Sequence, residues 1–151
     1  MADQRMSMET IPKTQEIIHA SCVAVGLFAV LLTGKSGSGK SALALELMSR
    51  GAMLVADDRT ILNSEAYGVT ASCPIAILGK IEARGMGILV AESVKRAQVH
   101  LVVDLNETET DRLPPFRETI ILGHQIPLIY SQKSAHFAAA LLQYIKGGRN
   151  A

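Results

Sequence analysis

The sequence predicts an α/β domain with a mixed β-sheet core and flanking helices. An apolar run, Leu31-Leu32-Thr33, leads straight into Gly34-Lys35-Ser36-Gly37-Ser38-Gly39-Lys40-Ser41, and strong helix formers follow from Ala42 to Ser49. Short apolar segments of strand character recur along the whole chain, whereas only two segments read firmly as helices. That excess of strands favours a mixed sheet over a strictly alternating, doubly wound one. The 151 residues, 48% of them apolar and 19% charged, are enough for one globular domain with a substantial core.

The elements follow in order. Met1–Pro12 is polar and reads as a loose arm, so the domain is expected to span residues 13–148. Gln15–Ser21 reads as a short strand or turn that sets His19 just before an apolar run. Val23–Val25 and Phe28–Thr33 are two strands joined around Gly26-Leu27. The helix from Ala42 to Met48 ends at Gly51, and Ala52–Ala56 is a further strand, with Asp57-Asp58 at its C-terminal end. Thr60–Leu62 and Tyr67–Ala71 are expected to flank a turn at Asn63–Glu65. Pro74–Gly79 fits either helix or strand, Glu82–Met86 reads as a polar interruption, and Ile88-Leu89-Val90 resumes the sheet pattern. Val99–Leu105 is the clearest later strand, and the proline-broken stretch Asn106–Arg117 follows it. Ile120–Leu122 and Gln125–Tyr130 form a hairpin about Gly123-His124, and Ser134–Ile145 is a closing helix stopped by Gly147-Gly148.

Composition excludes several classes of function. A formal charge of +1, with no long run of Lys and Arg, offers no footprint for nucleic acid or an anionic membrane surface. The longest apolar run, Cys22–Thr33, has 12 residues and falls short of a helical membrane span. Met1–Glu9 carries acids as well as Arg5, unlike a signal peptide. Cys22 and Cys73 lie in apolar segments without metal-ligand spacing and are expected as free thiols in a reducing, cytoplasmic setting.

The glycine-rich stretch carries the chemistry. Gly34-x-x-x-x-Gly39-Lys40-Ser41, between a strand and a helix, is a complete phosphate-binding loop, so the core is expected to resemble that of phosphate-loop NTPases. Residues Gly34, Lys35, Ser36, Gly37, Ser38, Gly39, Lys40 and Ser41 would wrap a phosphate chain with their backbone N–H groups, aided by the helix N-terminus. Lys40 would reach the outer phosphates of ATP, and the Ser41 hydroxyl would ligate Mg²⁺. Asp57-Asp58 follows as the acid that such a site needs at a neighbouring strand end. Neighbouring strand residues point oppositely, so both acids serve one site only if the strand ends between them, one for the metal and one for the nucleophile. By pattern alone Glu82, Arg84 and Gly85 read as an exposed turn, His19 as a packed histidine and Arg112 as a surface arginine. His100, His124 and His136 show no convergent spacing.

Beyond the loop, Ala44-Leu45-Glu46-Leu47, Arg50-Gly51 and Leu54-Val55-Ala56-Asp57-Asp58 resemble the catalytic domain of HPr kinase/phosphorylase. Ile81-Glu82-Ala83-Arg84-Gly85-Met86-Gly87-Ile88 is similar to that family's second signature, His19 to its histidine before the loop, and Asp111-Arg112-Leu113 to its later Asp-Arg-Leu segment. The short chain resembles the alphaproteobacterial type that lacks the family's N-terminal domain. The resemblance implies a core like the nucleotide-binding core of phosphoenolpyruvate carboxykinase. It also implies a protein-serine kinase that uses Mg-ATP to phosphorylate an HPr-like phosphocarrier of a phosphotransferase system, and that runs the reverse phosphorolysis in many members.

Under it, Asp58 is the base for the attacking serine, Ser41 and Glu82 bind Mg²⁺ with support from Asp57, and Lys40 neutralises the transferring phosphoryl group. His19 and Arg112 line the reaction centre. A sensor kinase and further copies of the chain are additional partners to expect. Ala42 stands where the family pattern has an acid, and it motivates the alternative of an ATP-binding regulatory module without efficient transfer.

Overall fold

The computed structural model describes residues 13–151, and the arm expected at Met1–Pro12 lies outside the described residues. Gln15–Ile18 (β1) and Ala20–Val25 (β2) form one extended run interrupted at His19. A turn at Gly26-Leu27 leads to Phe28–Thr33 (β3), as expected, and Lys40–Ser49 (α1) follows the loop. The chain continues with Met53–Ala56 (β4), Thr60–Glu65 (β5), Gly68–Ser72 (β6) and a single 3-10 turn at Ile75–Ile77. Lys80–Ala83 (β7), Gly87–Val90 (β8), Arg96–Thr108 (β9), Arg117–Ile121 (β10), His124–Ser131 (β11) and Phe137–Gly147 (α2) complete it.

The main sheet runs β1-β5-β6-β9-β3-β2-β4, and β11, paired to β10, joins β9. β3 and β11 lie parallel to β9, and the other ladders are antiparallel, so the sheet is mixed as the sequence predicts. β1 continues into β2 and β4 into β5, so both ends of that order belong to one antiparallel ladder, and the sheet curls round to meet itself. Its inner face carries small residues, among them Ala20, Cys22, Ala24, Ala29, Ala56, Ala71 and Ala97, around Leu31, Leu62 and Val69. Small side chains let opposed strands approach, which permits this tight curl.

The outer face presents Val23, Val30, Leu32, Leu54, Leu101 and Val103, and the helices cover it with Leu43, Ala44, Leu47, Phe137 and Leu141. In α1 the buried positions Lys40, Leu43, Ala44 and Leu47 form one helical stripe. Among the described residues no helix is long and apolar enough to cross a membrane.

Three local expectations need correction. Asn63–Glu65 is not a turn but the end of β5, because it pairs with Gly68–Thr70 and the reversal falls at Ala66-Tyr67. Ile88–Val90 does not rejoin the main sheet. It pairs with β7 in a separate hairpin, where Ile81 and Ala83 face the core and Lys80 and Glu82 face out. That two-residue alternation takes in Glu82 and Ala83, while residues 84–86 form the exposed turn of the hairpin, as read for Arg84 and Gly85. β9 extends to 13 residues because it has partners along both edges, β3 on one and first β6, then β11 on the other.

The β10–β11 hairpin turns at Leu122 (φ 49°) and Gly123 (φ 84°), the positive pair that a two-residue turn needs to match strand twist. Beside it Arg117 donates to Glu109 and lies over the Tyr130 ring, 4.1 Å from its centroid. Desolvation pushes the Glu109 carboxyl up, but the Asp111 N–H, Arg117 and the Thr110 N–H together hold it below the usual carboxylate range. A carboxyl whose value falls on folding contributes stability above its unfolded value and loses it as pH drops through the folded one. Arg117→Ala is therefore expected to lower the urea midpoint near neutrality, with the gap to wild type narrowing in acid. Denaturation curves across pH 3 to pH 7, roughly the carboxylate range, check this.

Candidate functional site

Thr33 closes β3 with its hydroxyl on the Val103 carbonyl (3.2 Å), and the loop opens at Gly34. Gly34 has φ +148°, and a Cβ built there would stand 2.5 Å from Ser38 Oγ. Only glycine leaves that space free. The Ser38 N–H returns to the Lys35 carbonyl (3.1 Å), and the Lys35 N–H donates to Asn106 Oδ1 (3.0 Å), which pins the loop to the end of β9. α1 starts behind Gly39 (φ 101°) with neither a side-chain cap nor an acidic residue in its first turn. Ala42 therefore leaves the positive end of the helix open to an anion. Lys40 is 5% exposed, and its ammonium donates to the Gly34 and Lys35 carbonyls at 2.8 and 3.1 Å. It sits across the mouth of its own loop.

Asp57 and Asp58 lie where β4 breaks before β5. The Arg59 N–H donates back to the Asp57 carbonyl (2.8 Å), and Asp58 between them has φ 67°. Such a three-residue turn about a positive φ is a strained form, of the kind held at functional sites by its surroundings. It separates the two carboxylates. Asp57 is 8% exposed; its Oδ1 accepts from Ser41 (2.6 Å) and Ser21 (2.8 Å), and its Oδ2 from the Glu82 N–H (2.9 Å). Asp58 turns outward with its side chain 60% exposed, and its Oδ1 lies 2.5 Å from His19 Nε2. His19 occupies the interruption between β1 and β2, opposite the break that holds Asp58.

The structure thus brings together the loop, Ser41, Asp57, Asp58 and His19. Glu82 joins through its backbone while its side chain is exposed, and Arg112 is exposed on the 109–116 segment with no hydrogen bond or ion pair among the described residues. Sequence reasoning missed Ser21 and Asn106. Ser21 carried a signal, since it stands two residues beyond His19 and therefore on the same face of the strand. Asn106 carried none beyond lying after a strand. Both cysteines are free. Burial pushes the Cys22 thiol far up, and burial with the nearby Asp57 charge raises that of Cys73. The other histidines stand apart: His124 meets Ser64, His136 meets Ser134, and His100 packs on Phe28.

These residues fit a magnesium-bound nucleotide. Ser38 Oγ is buried without a partner under the loop, and a Cβ would fill the hollow at Gly34. Hard oxygen donors converge at Ser41 and Asp57, whose Oδ2 keeps a free lone pair. No cage of three or more His, Cys, Asp or Glu side chains forms among the described residues. Mg²⁺ needs none, because it binds through one or two protein oxygens, waters and substrate phosphates. A separate cavity of about 260 Å³ lies between the 109–116 segment, β11 and α2, lined by Tyr130, Phe137 and Tyr144, away from the loop.

The family model described as HPr Serine kinase C-terminal domain matches residues 11–130. HPr kinase/phosphorylase of Stenotrophomonas maltophilia (strain K279a) is 34% identical over 129 residues, 75% of this chain and 41% of its own length. That of Bordetella pertussis is 41% identical over 109 residues, covering 64% of this chain and 35% of its own length. The chain thus spans less than half the length of these curated relatives. Among solved structures, the Hpr(Ser) kinase/phosphatase from Coxiella burnetii superposes with a TM-score of 0.73 at 27% identity, covering 87% of this chain and 88% of that one.

Gly34→Ala forces a Cβ against Ser38 Oγ at a positive φ, a strain of about 1–3 kcal/mol confined to the loop. Calorimetric titration is expected to show Mg-ATP affinity lost, while the thermal unfolding midpoint falls by no more than about 10 °C and the variant stays folded.

Proposed function

The chain belongs to the HPr serine kinase C-terminal domain family, and we propose that it is a Mg-ATP-dependent protein-serine kinase acting on an HPr-like phosphocarrier in the cytoplasm. One observation carries the proposal: two adjacent aspartates face opposite ways at one strand end, Asp57 toward the loop serine and Asp58 toward solvent. Phosphoryl transfer needs both, an acid on the metal side and a base on the acceptor side.

In this reading the amides of residues 34–41 hold the phosphates, and Lys40 leaves its loop carbonyls for the charge on the transferring group. Ser41 and Glu82 would hold Mg²⁺, with Asp57 steadying the Ser41 hydroxyl. When bound, the ion neutralises phosphate oxygens and aligns the transferring group. Asp58 takes the proton from the carrier serine as the serine oxygen bonds to the γ-phosphorus and the bond to the β-phosphate oxygen breaks, releasing ADP. His19 keeps one Asp58 oxygen occupied and so directs the other at the incoming hydroxyl. Arg112 is a cation available to the phosphates. The exposure of Asp58 supports a protein-sized acceptor. With inorganic phosphate in place of ADP the same groups would give phosphorolysis: a phosphate oxygen bonds to the phosphoserine phosphorus, the bond to the serine oxygen breaks, pyrophosphate leaves, and Asp58 returns the proton to the serine.

Incubation with radiolabelled ATP and purified HPr-like carriers, followed by phosphoamino-acid analysis, tests this. Wild type is expected to yield phosphoserine on a carrier, and Asp58→Asn to slow transfer by about 10²–10⁴-fold. Wild-type protein that labels no such carrier would refute the proposal.

A further inference from the structure

We infer that Ser21 is a positioning residue for the proposed transfer: its single hydroxyl clamps both acids and so assigns them their separate tasks. This rests on the serine-kinase reading of the site. Ser21 is fully buried on β2, on the face it shares with Val23 and with its cross-strand partner Leu32, opposite the alanine-lined inner face. Ile18 pairs with Thr60 and Cys22 with Ala56 in the same register, and carrying that register through the break sets Ser21 across from Asp57 and Ala20 across from Asp58.

Both capacities of the hydroxyl are used in a fixed sense. Its proton goes to Asp57 Oδ1 (2.8 Å), and its oxygen accepts from the Asp58 N–H (3.0 Å). A carboxylate can only accept and a backbone N–H can only donate, so the hydroxyl has one consistent orientation.

The clamp acts where the backbone is strained. Asp58 at φ 67° departs from the region that a side-chain-bearing residue prefers, and the Ser21 bond to its N–H holds the peptide in that orientation. With the peptide so turned, the Asp57 side chain stays inside with Ser41 and the Glu82 N–H, and the Asp58 side chain leaves toward His19. Without the hydroxyl, the Asp58 N–H and one lone pair of Asp57 lose their buried partner, and the turn is free to relax. Ser21 itself touches no reacting atom.

Ser21→Ala and the packing-conserving Ser21→Cys are compared with wild type in three measurements: amide hydrogen exchange at Asp58, kcat and KM for transfer to an HPr-like carrier, and the unfolding midpoint. Both variants are expected to exchange the Asp58 amide at least about tenfold faster and to lose about 10–100-fold in kcat, with KM for ATP and carrier held within about twofold. If Ser21→Ala does not fold, Ser21→Cys carries the test. Native Asp58 exchange in the folded variants, or a fall in kcat that only follows a fall in unfolding midpoint, overturns the inference. A wild type that transfers nothing while the variants still speed Asp58 exchange sinks the kinase reading and supports the clamp.

Discussion

The buried carboxylate of Asp57 ties the site to the fold. Its three donors come from three separate pieces of chain: Ser21 on β2, Ser41 on α1 and the Glu82 backbone on β7. A carboxylate taken out of water is costly unless hydrogen-bonded, so each donor is held in place by the penalty of leaving it unpaired. The phosphate loop, the central sheet and the small outer hairpin are thereby referred to one side chain. Ser41 can offer its oxygen to a cation while its proton stays on Asp57, so the arrangement does not have to break for the site to work.

That node exists because the sheet closes on itself. The run β1–β2 lies antiparallel to β4–β5, with Ile18–Thr60 and Cys22–Ala56 in one register before a shift at Cys22/Val23, and both are interrupted at the same level, at His19 and at residues 57–59. Two facing interruptions open a gap in a continuous ladder, and polar side chains fill it. The alanines of the inner face allow the curl that brings these strands together. The loop sits at the C-terminal end of β3, and β9 beside it carries Asn106 to hold the Lys35 N–H. Scaffold and site are two readings of one strand arrangement.

Much of this was legible from residues alone. The phosphate loop is a local motif whose spacing dictates its backbone, so Gly34–Ser41 could be placed before any tertiary contact was known. The acids serve one site only if the strand ends between them; β4 ends one residue earlier, at Ala56, and the turn that follows sends the two carboxylates apart. What escaped depends on partners distant in sequence. The length of β9 follows from edges supplied by three other strands, and β7 was obscured because Lys80 and Glu82 mask the inward Ile81 and Ala83. Ser21 looked like one small residue in an apolar run until register set it across from Asp57. The bond from the Glu82 N–H to Asp57 escaped too, because a backbone contact leaves no mark in the residue type.

Two adjacent carboxylates divide the labour in the proposed site, and nucleotide binding with and without Mg²⁺ separates their tasks without any transfer step. Calorimetric titration of ATP into wild type, Asp57→Asn and Asp58→Asn measures it. Asp57→Asn is expected to lose about 10–100-fold of Mg²⁺-dependent affinity, the usual effect of losing a group that orients a metal ligand, while Asp58→Asn binds Mg-ATP as wild type does. Equal losses in the two variants, or a loss confined to Asp58→Asn, would contradict that division.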